Sequence, residues 1–171
     1  KEQLIIEPMP RGTAPAIALV AHTIYSMRPQ AVVATIASDH AITNPSEFVD
    51  SVSAAFQAAE KNPDKLVMVG IHPTFPDIGL GYIKMGKEFA TVNRRKVFYA
   101  DSFVEKPNLK TAEKYLRSYE YLWNASYFIF SAKGFLNITK KLMPKTLKVL
   151  DKMRRIKNNG EAAKIYNSLE N

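Results

Sequence analysis

Apolar runs alternate with amphipathic segments along the first half of the chain. Three short and continuously apolar runs, at 4–8, 31–40 and 65–74, predict buried β-strands, the second with polar residues at its carboxyl end. The segments between them, 11–27 and 45–61, have the spacing of apolar residues that is typical of helices. Strands and helices that alternate in this way predict a parallel sheet with right-handed crossovers.

Hydroxyl residues mark where we expect the first two helices to begin. Thr13 is a suitable N-cap for the first helix, and Pro15 is tolerated in its first turn. Ser46 is the corresponding cap for the second helix.

The pattern changes in the second half of the chain. Two apolar segments, 81–87 and 96–106, predict an antiparallel pair joined by a link over 86–95. A helix over 110–118 and a strand over 124–132 follow. We expect the remaining residues to be helical, with breaks at Pro144 and Gly160.

Charge is unevenly placed along the chain, whose net charge is +8. Residues 1–83 carry five Lys and Arg against eight Asp and Glu, whereas residues 84–171 carry nineteen against eight. A basic half can attract nucleic acid, anionic lipid or a phosphorylated small molecule. The basic residues of 133–157 lie between periodic apolar residues, so a solvated helix face is the commoner outcome. Aromatic residues are not interleaved with the basic residues of 137–157, and we therefore expect no nucleic-acid partner.

Composition narrows the class of protein further. A chain of 171 residues with 46% hydrophobic residues fits one domain and can bury a core. The absence of cysteine excludes disulfides and thiolate metal sites, and favours a reducing, cytoplasmic location. No apolar run has the length of a membrane span, and we expect no membrane partner.

Polar residues gather at the carboxyl ends of the predicted strands, which is where open α/β sheets bind ligands. Asp39 and His40 follow the second strand, and Asp39 could bind a hard cation or simply occupy a turn. Glu105 and Lys106 end a later strand before a proline. A carboxylate can accept sugar hydroxyls and an ammonium can neutralise a phosphate, although the two could equally form a surface pair.

Further candidates lie at the start of elements. Gly81 immediately precedes a strand, where a glycine lets a ligand approach the backbone or makes a bulge. Arg11 and Gly12 lie at a helix N-terminus, which is suited to an anion. Glu7 could accept both N1–H and the N2 amine of guanine, although an exposed glutamate is the commoner case.

Five motifs in this order and spacing are more specific than any of them alone: EPMPRGTAPAIALVA, IASDHAI, VGIHPTFPDIGLGYIKMG, FVEKPN and WNASYFIF. Together they resemble the bacterial mannose-1-phosphate guanylyltransferases, which belong to the sugar-phosphate nucleotidylyltransferases. The resemblance implies an α/β, Rossmann-like, mostly parallel mixed sheet flanked by helices. It also implies Mg²⁺-dependent transfer of GMP from GTP to mannose 1-phosphate, with release of pyrophosphate.

The same resemblance implies a role for each matching residue. The nucleotide would be bound by Glu7 through guanine and by Arg11, Gly12 and Thr13. Asp39 would be the metal-binding and catalytic acid. The sugar phosphate would contact Gly81 through its backbone, together with Glu105, Lys106 and Asn124, and Lys106 would also be catalytic.

Departures from the family pattern set further expectations. The chain differs from the family at several positions. The family usually has Asn at Gly12, Thr at Ile78, Tyr at Leu80 and Ser-Gly at Ala125-Ser126. The Gly-rich, Thr-Arg-containing loop that wraps the triphosphate is not found in this sequence, and a second metal-binding acid is expected beyond Asn171. We therefore expect residues 1–171 to be the central part of one catalytic domain, inactive alone, with an apolar edge that allows a homo-oligomer. The alternative is a non-catalytic sugar-nucleotide-binding or regulatory subunit.

Overall fold

The computed structural model describes residues 4–156 and 159–169. Within these ranges helices and strands follow one another in a mixed order. They are α1 (Thr13–Met27), β1 (Val32–Thr35), α2 (Pro45–Lys61), β2 (Val67–Ile71), β3 (Gly81–Val92), β4 (Arg95–Val104), α3 (Leu109–Ser118), β5 (Tyr121–Ser131), α4 (Ala132–Leu142), α5 (Pro144–Arg154) and α6 (Asn159–Tyr166).

The chain divides into two compact units. The first unit comprises Lys1–Val33, Asn62–Leu66 and Phe130–Asn171, and so holds α1 and the last three helices. The second unit comprises Ala34–Lys61 and Val67–Ile129, and holds most of the sheet together with α2 and α3.

The sheet has five strands in the order β1-β5-β3-β4, and β2 also pairs with β5. The α/β class predicted from the sequence is confirmed. The expected parallel majority is not observed, because β2–β5, β3–β4 and β3–β5, the pairs whose register is described, are all antiparallel. The reason lies in β5, which runs between β2 and β3 in the opposite direction, so that those two strands point the same way without pairing.

The β3–β4 hairpin is longer than predicted. Its two strands meet at Asn93 and Arg94, whose φ angles are 49° and 63°. Positive φ at both central residues is the conformation of a tight two-residue turn whose twist matches its strands. Gly86 therefore lies within β3, and the link predicted over 86–95 is wrong.

The core of the second unit forms on two surfaces. On one, Ala54 and Ala58 of α2 pack against Val92, with Val67 and Val97 beside them. On the other, α3 buries its single alanine in a cluster with aromatic side chains of β3 and β5. These are Ala112, Tyr82 and Trp123, with Tyr115 and Tyr121 stacked at a centroid distance of 3.7 Å.

Tight helix packing holds the first unit together. α1 buries Ala18 and Ala21, small residues that allow neighbouring helices to approach. Ser131 caps α4 by accepting a hydrogen bond from the Gly134 backbone N–H at 3.3 Å. A Cβ atom on Gly134 would lie 1.8 Å from the carbonyl oxygen of Pro63, so only glycine fits there.

Four local predictions are wrong, each for an identifiable reason. Residues 4–8 are not a strand: Leu4 and Ile6 are exposed, and no strand in the described ranges pairs with them. Thr13 is not the N-cap, because Gly12 occupies that position and Thr13 is the first helical residue.

The other two errors concern α2 and α6. Asn44, not Ser46, caps α2, since its Oδ1 accepts the Glu47 N–H at 3.2 Å and Pro45 takes the first helical position. Gly160 lies inside α6, whereas the break near Pro144 is confirmed by the boundary between α4 and α5.

Candidate functional site

Three of the predicted sugar-binding residues lie together in the second unit. Gly81, the first residue of β3, is paired with Asn124 of β5. A Cβ atom built on Gly81 would lie 2.6 Å from Glu105 Oε2 and 3.6 Å from Asn124 Cβ. The carboxylate of Glu105 thus rests against the backbone of Gly81, beside the Asn124 side chain. Backbone, carboxylate and amide groups converge here on one small area of the sheet.

Lys106 adds a cation to this group through an unusual backbone conformation. Glu105 comes directly after β4, and Lys106 has φ 44°, in the left-handed region. Successive residues of a regular strand point to opposite faces, but this turn brings the Lys106 Nζ atom to 3.9 Å from Glu105 Oε1. Both side chains are mostly exposed, so an anionic, hydroxyl-bearing ligand could reach them.

The amide of Asn124 is held in a defined orientation. Its Oδ1 accepts a hydrogen bond from the Ser126 backbone N–H at 3.1 Å. With the oxygen engaged in this way, the two Nδ2–H donors are the groups left to bind a ligand oxygen. Ser126 has φ 58°, a conformation that favours glycine, which gives a physical reason for the glycine that the family usually has at this position.

Asp39 and His40 lie in the turn region that follows β1 in the second unit. His40 Nδ1 is 2.6 Å from Tyr127 Oη, and the two rings meet edge to face at 5.3 Å. Phe48 of α2 packs edge to face on the same tyrosine. Burial, and then the negative charge of Asp39, raise the pKa of Tyr127, which therefore stays protonated at neutral pH.

The residues near Asp39 suit magnesium in donor type. Among residues 4–156 and 159–169, no group of three or more His, Cys, Asp or Glu side chains could hold a metal ion. Mg²⁺ does not need such a group, since it commonly binds one or two carboxylates and completes its shell with water and substrate phosphates. The exposed Asp39 carboxylate fits that pattern.

The predicted nucleotide-binding residues lie in the first unit, around the start of α1. Gly12, with φ 87°, forms the N-cap, and a Cβ atom there would meet nothing within 4 Å. The helix N-terminus beside Thr13 is thus open to an anion. Arg11 has a different contact: its Nη2 donates to the Asn167 carbonyl oxygen at 2.5 Å.

Glu7 is bound by two donors of the same unit. Tyr166 Oη donates to Glu7 Oε1 at 2.6 Å, and the Arg11 backbone N–H donates to the same oxygen at 3.3 Å. Sequence reasoning did not identify Tyr166 or Tyr127. Tyr127 lies in an apolar strand and Tyr166 in a helix of mixed composition, and neither pattern says anything about a distant hydrogen-bond partner.

A sequence model of a family described as nucleotidyl transferase matches residues 1–166. The chain belongs to this family.

Its relatives define the resemblance more closely. The chain is 40% identical over 153 residues to the mannose-1-phosphate guanylyltransferase of Escherichia coli K12, an alignment that covers 88% of this chain and 32% of the relative. It is 37% identical over 157 residues to the mannose-1-phosphate guanylyltransferase of Klebsiella pneumoniae, covering 92% of this chain and 33% of the relative. The resemblance found in the sequence motifs is confirmed. The chain spans about a third of the length of these curated relatives.

Solved structures support the fold. A mannose-1-phosphate geranyltransferase from Thermus thermophilus superposes with a TM-score of 0.82 at 23% identity, covering 97% of this chain and 46% of that one. A mannose-6-phosphate isomerase from Helicobacter pylori gives a TM-score of 0.68 at 26% identity, with coverage of 95% and 54%. No helix in the described part of the chain is long and apolar enough to cross a membrane.

Proposed function

We propose that this chain forms the sugar-phosphate pocket and part of the nucleotide site of a mannose-1-phosphate guanylyltransferase. The whole enzyme would transfer GMP from GTP to mannose 1-phosphate, giving GDP-mannose and pyrophosphate. The single observation that supports this most is the convergence of Gly81, Glu105 and Asn124, three residues that motif resemblance alone assigns to the sugar.

In this proposal the sugar hydroxyls bind the groups of the second unit. The Glu105 carboxylate accepts hydrogen bonds from two hydroxyls, and the Asn124 Nδ2–H groups donate to ring or hydroxyl oxygens. The Gly81 backbone lies close enough to the Glu105 carboxylate to share the same hexose. Lys106 neutralises the phosphate of mannose 1-phosphate and holds it in place.

The nucleotide and metal would use the remaining predicted residues. Glu7 accepts from the N1–H and N2 amine of guanine, while the open helix N-terminus at Gly12 and Thr13 favours phosphate oxygens. Asp39 would hold Mg²⁺, which when bound supplies positive charge to the phosphate oxygens. Arg11 would support nucleotide binding by holding Glu7 in place: its backbone N–H donates to Glu7 Oε1, and its side chain donates to the Asn167 carbonyl oxygen.

The reaction requires little covalent help from these residues. An oxygen of the mannose 1-phosphate group attacks the α-phosphorus of GTP, a new oxygen–phosphorus bond forms, and the bond to the bridging oxygen of pyrophosphate breaks. No general base is needed, because the attacking phosphate is already ionised near neutral pH. The chain's own contribution is therefore alignment of two anions and neutralisation of their charge.

For the 171-residue chain alone we expect binding of mannose 1-phosphate without guanylyl transfer. The sequence contains no Gly-rich, Thr-Arg loop to hold the β- and γ-phosphates. Pyrophosphate release from GTP, mannose 1-phosphate and Mg²⁺ measures this directly. Turnover at about 1 s⁻¹ or above, an ordinary enzyme rate, would contradict the expectation. The cytoplasmic location inferred from composition stays a prediction.

Glu105→Gln tests the sugar pocket, with Glu113→Gln as the matched control. Both carboxylates are in the second unit beside a cation: Glu105 lies 3.9 Å from Lys106 Nζ, and Glu113 lies 3.8 Å from Arg117 Nη2. Titration calorimetry should show that Glu105→Gln weakens mannose 1-phosphate binding about tenfold or more, whereas Glu113→Gln leaves it unchanged. Equal affinities in the two variants would rule out the assigned role of Glu105.

A further inference from the structure

The Glu7 carboxylate is held by a tyrosine that lies far away in sequence. Tyr166 is fully buried at the end of α6, and its hydroxyl donates to Glu7 Oε1 at 2.6 Å. The Arg11 backbone N–H donates to the same oxygen at 3.3 Å. Both donors engage the same carboxylate oxygen, Oε1.

The segment that carries Glu7 offers little else to fix this side chain. Residues 4–12 form no helix or strand, and Ile6 beside Glu7 is largely exposed. Pro8 restricts the Glu7 backbone to extended conformations, but a glutamate still has three rotatable side-chain bonds. Ordering such a side chain costs rotamer entropy, which the bond from Tyr166 offsets before any ligand arrives.

A second bond ties the same two segments in the opposite direction. The Arg11 Nη2 atom donates to the backbone carbonyl of Asn167, the residue after Tyr166. Glu7 therefore accepts a hydrogen bond from the last residue of α6. Arg11, four residues after Glu7, donates a hydrogen bond to the residue that follows α6. Together the two bonds fix the position of residues 7–11 relative to the C-terminal end of α6.

We propose that Tyr166 is a positioning residue for base selection, which it achieves by fixing the plane of the Glu7 carboxylate. This inference rests on the proposed function, in which Glu7 accepts from guanine. Each carboxylate oxygen has two acceptor sites, and those of Oε1 are taken by Tyr166 and the Arg11 backbone N–H, so Oε2 is the oxygen that would accept from N1–H and the N2 amine of guanine. Adenine presents an acceptor, N1, beside its N6 donor, and the fixed carboxylate opposes that acceptor.

The hydroxyl of Tyr166 is suited to this task because it stays a donor. Burial, and then the hydrogen bond and negative charge of Glu7, raise the pKa of Tyr166 well above its ordinary value. At neutral pH the phenol is protonated and donates its proton to Glu7, although the positive charge of Arg11 acts in the opposite direction on its pKa.

Tyr166→Phe tests the proposal, because it removes only the hydroxyl. GMP and AMP are the probes, and their dissociation constants are measured by NMR titration of the 171-residue chain. The ratio of AMP to GMP dissociation constants should fall about three- to tenfold in Tyr166→Phe. Tyr25→Phe, which removes a tyrosine hydroxyl from α1 of the same unit, should leave the ratio unchanged.

A double-mutant cycle with Glu7→Gln tests whether Tyr166 acts through Glu7. After Glu7→Gln, adding Tyr166→Phe should change the GMP preference no further, whereas an independent contribution would overturn the proposal. If Tyr166→Phe does not fold, the wild-type chain decides: GMP should shift the ring resonances of labelled Tyr166 more than AMP does, and equal shifts overturn the proposal.

Failure of the guanine site and failure of the role of Tyr166 would give different results in these titrations. A wild-type chain without preference for GMP overturns the guanine site and this inference together. A wild-type preference that survives in Tyr166→Phe overturns the inference alone.

Discussion

Gly81→Ala should separate the proposed sugar binding from folding, because it disturbs a proposed sugar-binding side chain and not the core. The new Cβ atom would lie 2.6 Å from Glu105 Oε2, and the next neighbour is Asn124 Cβ at 3.6 Å, an ordinary contact. The one close atom is thus the end of an exposed and flexible side chain. The backbone and the core need not move.

The size of the effect follows from that geometry. Since 3.4 Å is ordinary van der Waals contact, the carboxylate must retreat by about 0.8 Å, the difference between 3.4 and 2.6 Å. Folding should lose little, because alanine is about 0.5–1 kcal/mol better than glycine within a strand. A displaced carboxylate should lose hydrogen bonds to sugar hydroxyls worth about 1.5–3 kcal/mol, which corresponds to roughly a tenfold to hundredfold weaker affinity.

The assay pairs titration calorimetry against mannose 1-phosphate with urea unfolding of the same samples. Gly79→Ala is the control, since its Cβ atom would meet only Asp77 Oδ1, at 3.2 Å. We expect Gly81→Ala to bind weakly at unchanged stability, and Gly79→Ala to change neither property. Unchanged affinity in Gly81→Ala would refute the reasoning that Glu105 must rest against this backbone to bind sugar.

Three further outcomes test other parts of the structure. Asp39→Asn should weaken the binding of Mn²⁺, measured by paramagnetic line broadening, without changing the affinity for mannose 1-phosphate. Line broadening equal to that of the wild type would rule out Asp39 as the metal ligand. Gly134→Ala should cost about 3 kcal/mol or more in urea unfolding, because its Cβ atom would lie 1.8 Å from the Pro63 backbone oxygen, and stability equal to wild type would contradict that packing. The raised pKa of Tyr166 predicts stability that is complete below its ordinary value of 10.0 and declines as pH rises beyond it. Tyr166→Phe should lose part of that alkaline decline, and an identical pH dependence would contradict the raised pKa.

Local sequence signals predicted most elements because they depend on residues that are neighbours in the chain. The span 45–61 predicted for α2 matches the structure, since its apolar period and flanking prolines are local, although the cap was assigned to Ser46 instead of Asn44. The direction of β5 could not be predicted in this way. It depends on pairing with both β2 and β3, contacts between residues far apart in sequence.

The candidate site shows the same division. The motif FVEKP indicated that Glu105 and Lys106 end a strand before a proline, but the left-handed backbone at Lys106, which accompanies the 3.9 Å approach of its Nζ atom to Glu105 Oε1, could not be predicted from it. The contact of Tyr166 with Glu7 joins residues 159 positions apart. The sequence of α6 carries no local mark of such a hydrogen bond, and so the sequence pattern could not reveal it.

The most direct test of the central claim is an NMR titration of the 171-residue chain with mannose 1-phosphate, followed through assigned backbone amides. The account predicts saturable shifts centred on Gly81, Lys106 and Asn124, with little change in the basic residues of α5. Shifts centred on those basic residues, and absent from β3 and β5, would mean that the sugar phosphate is bound as a simple anion elsewhere, and would contradict the proposed pocket.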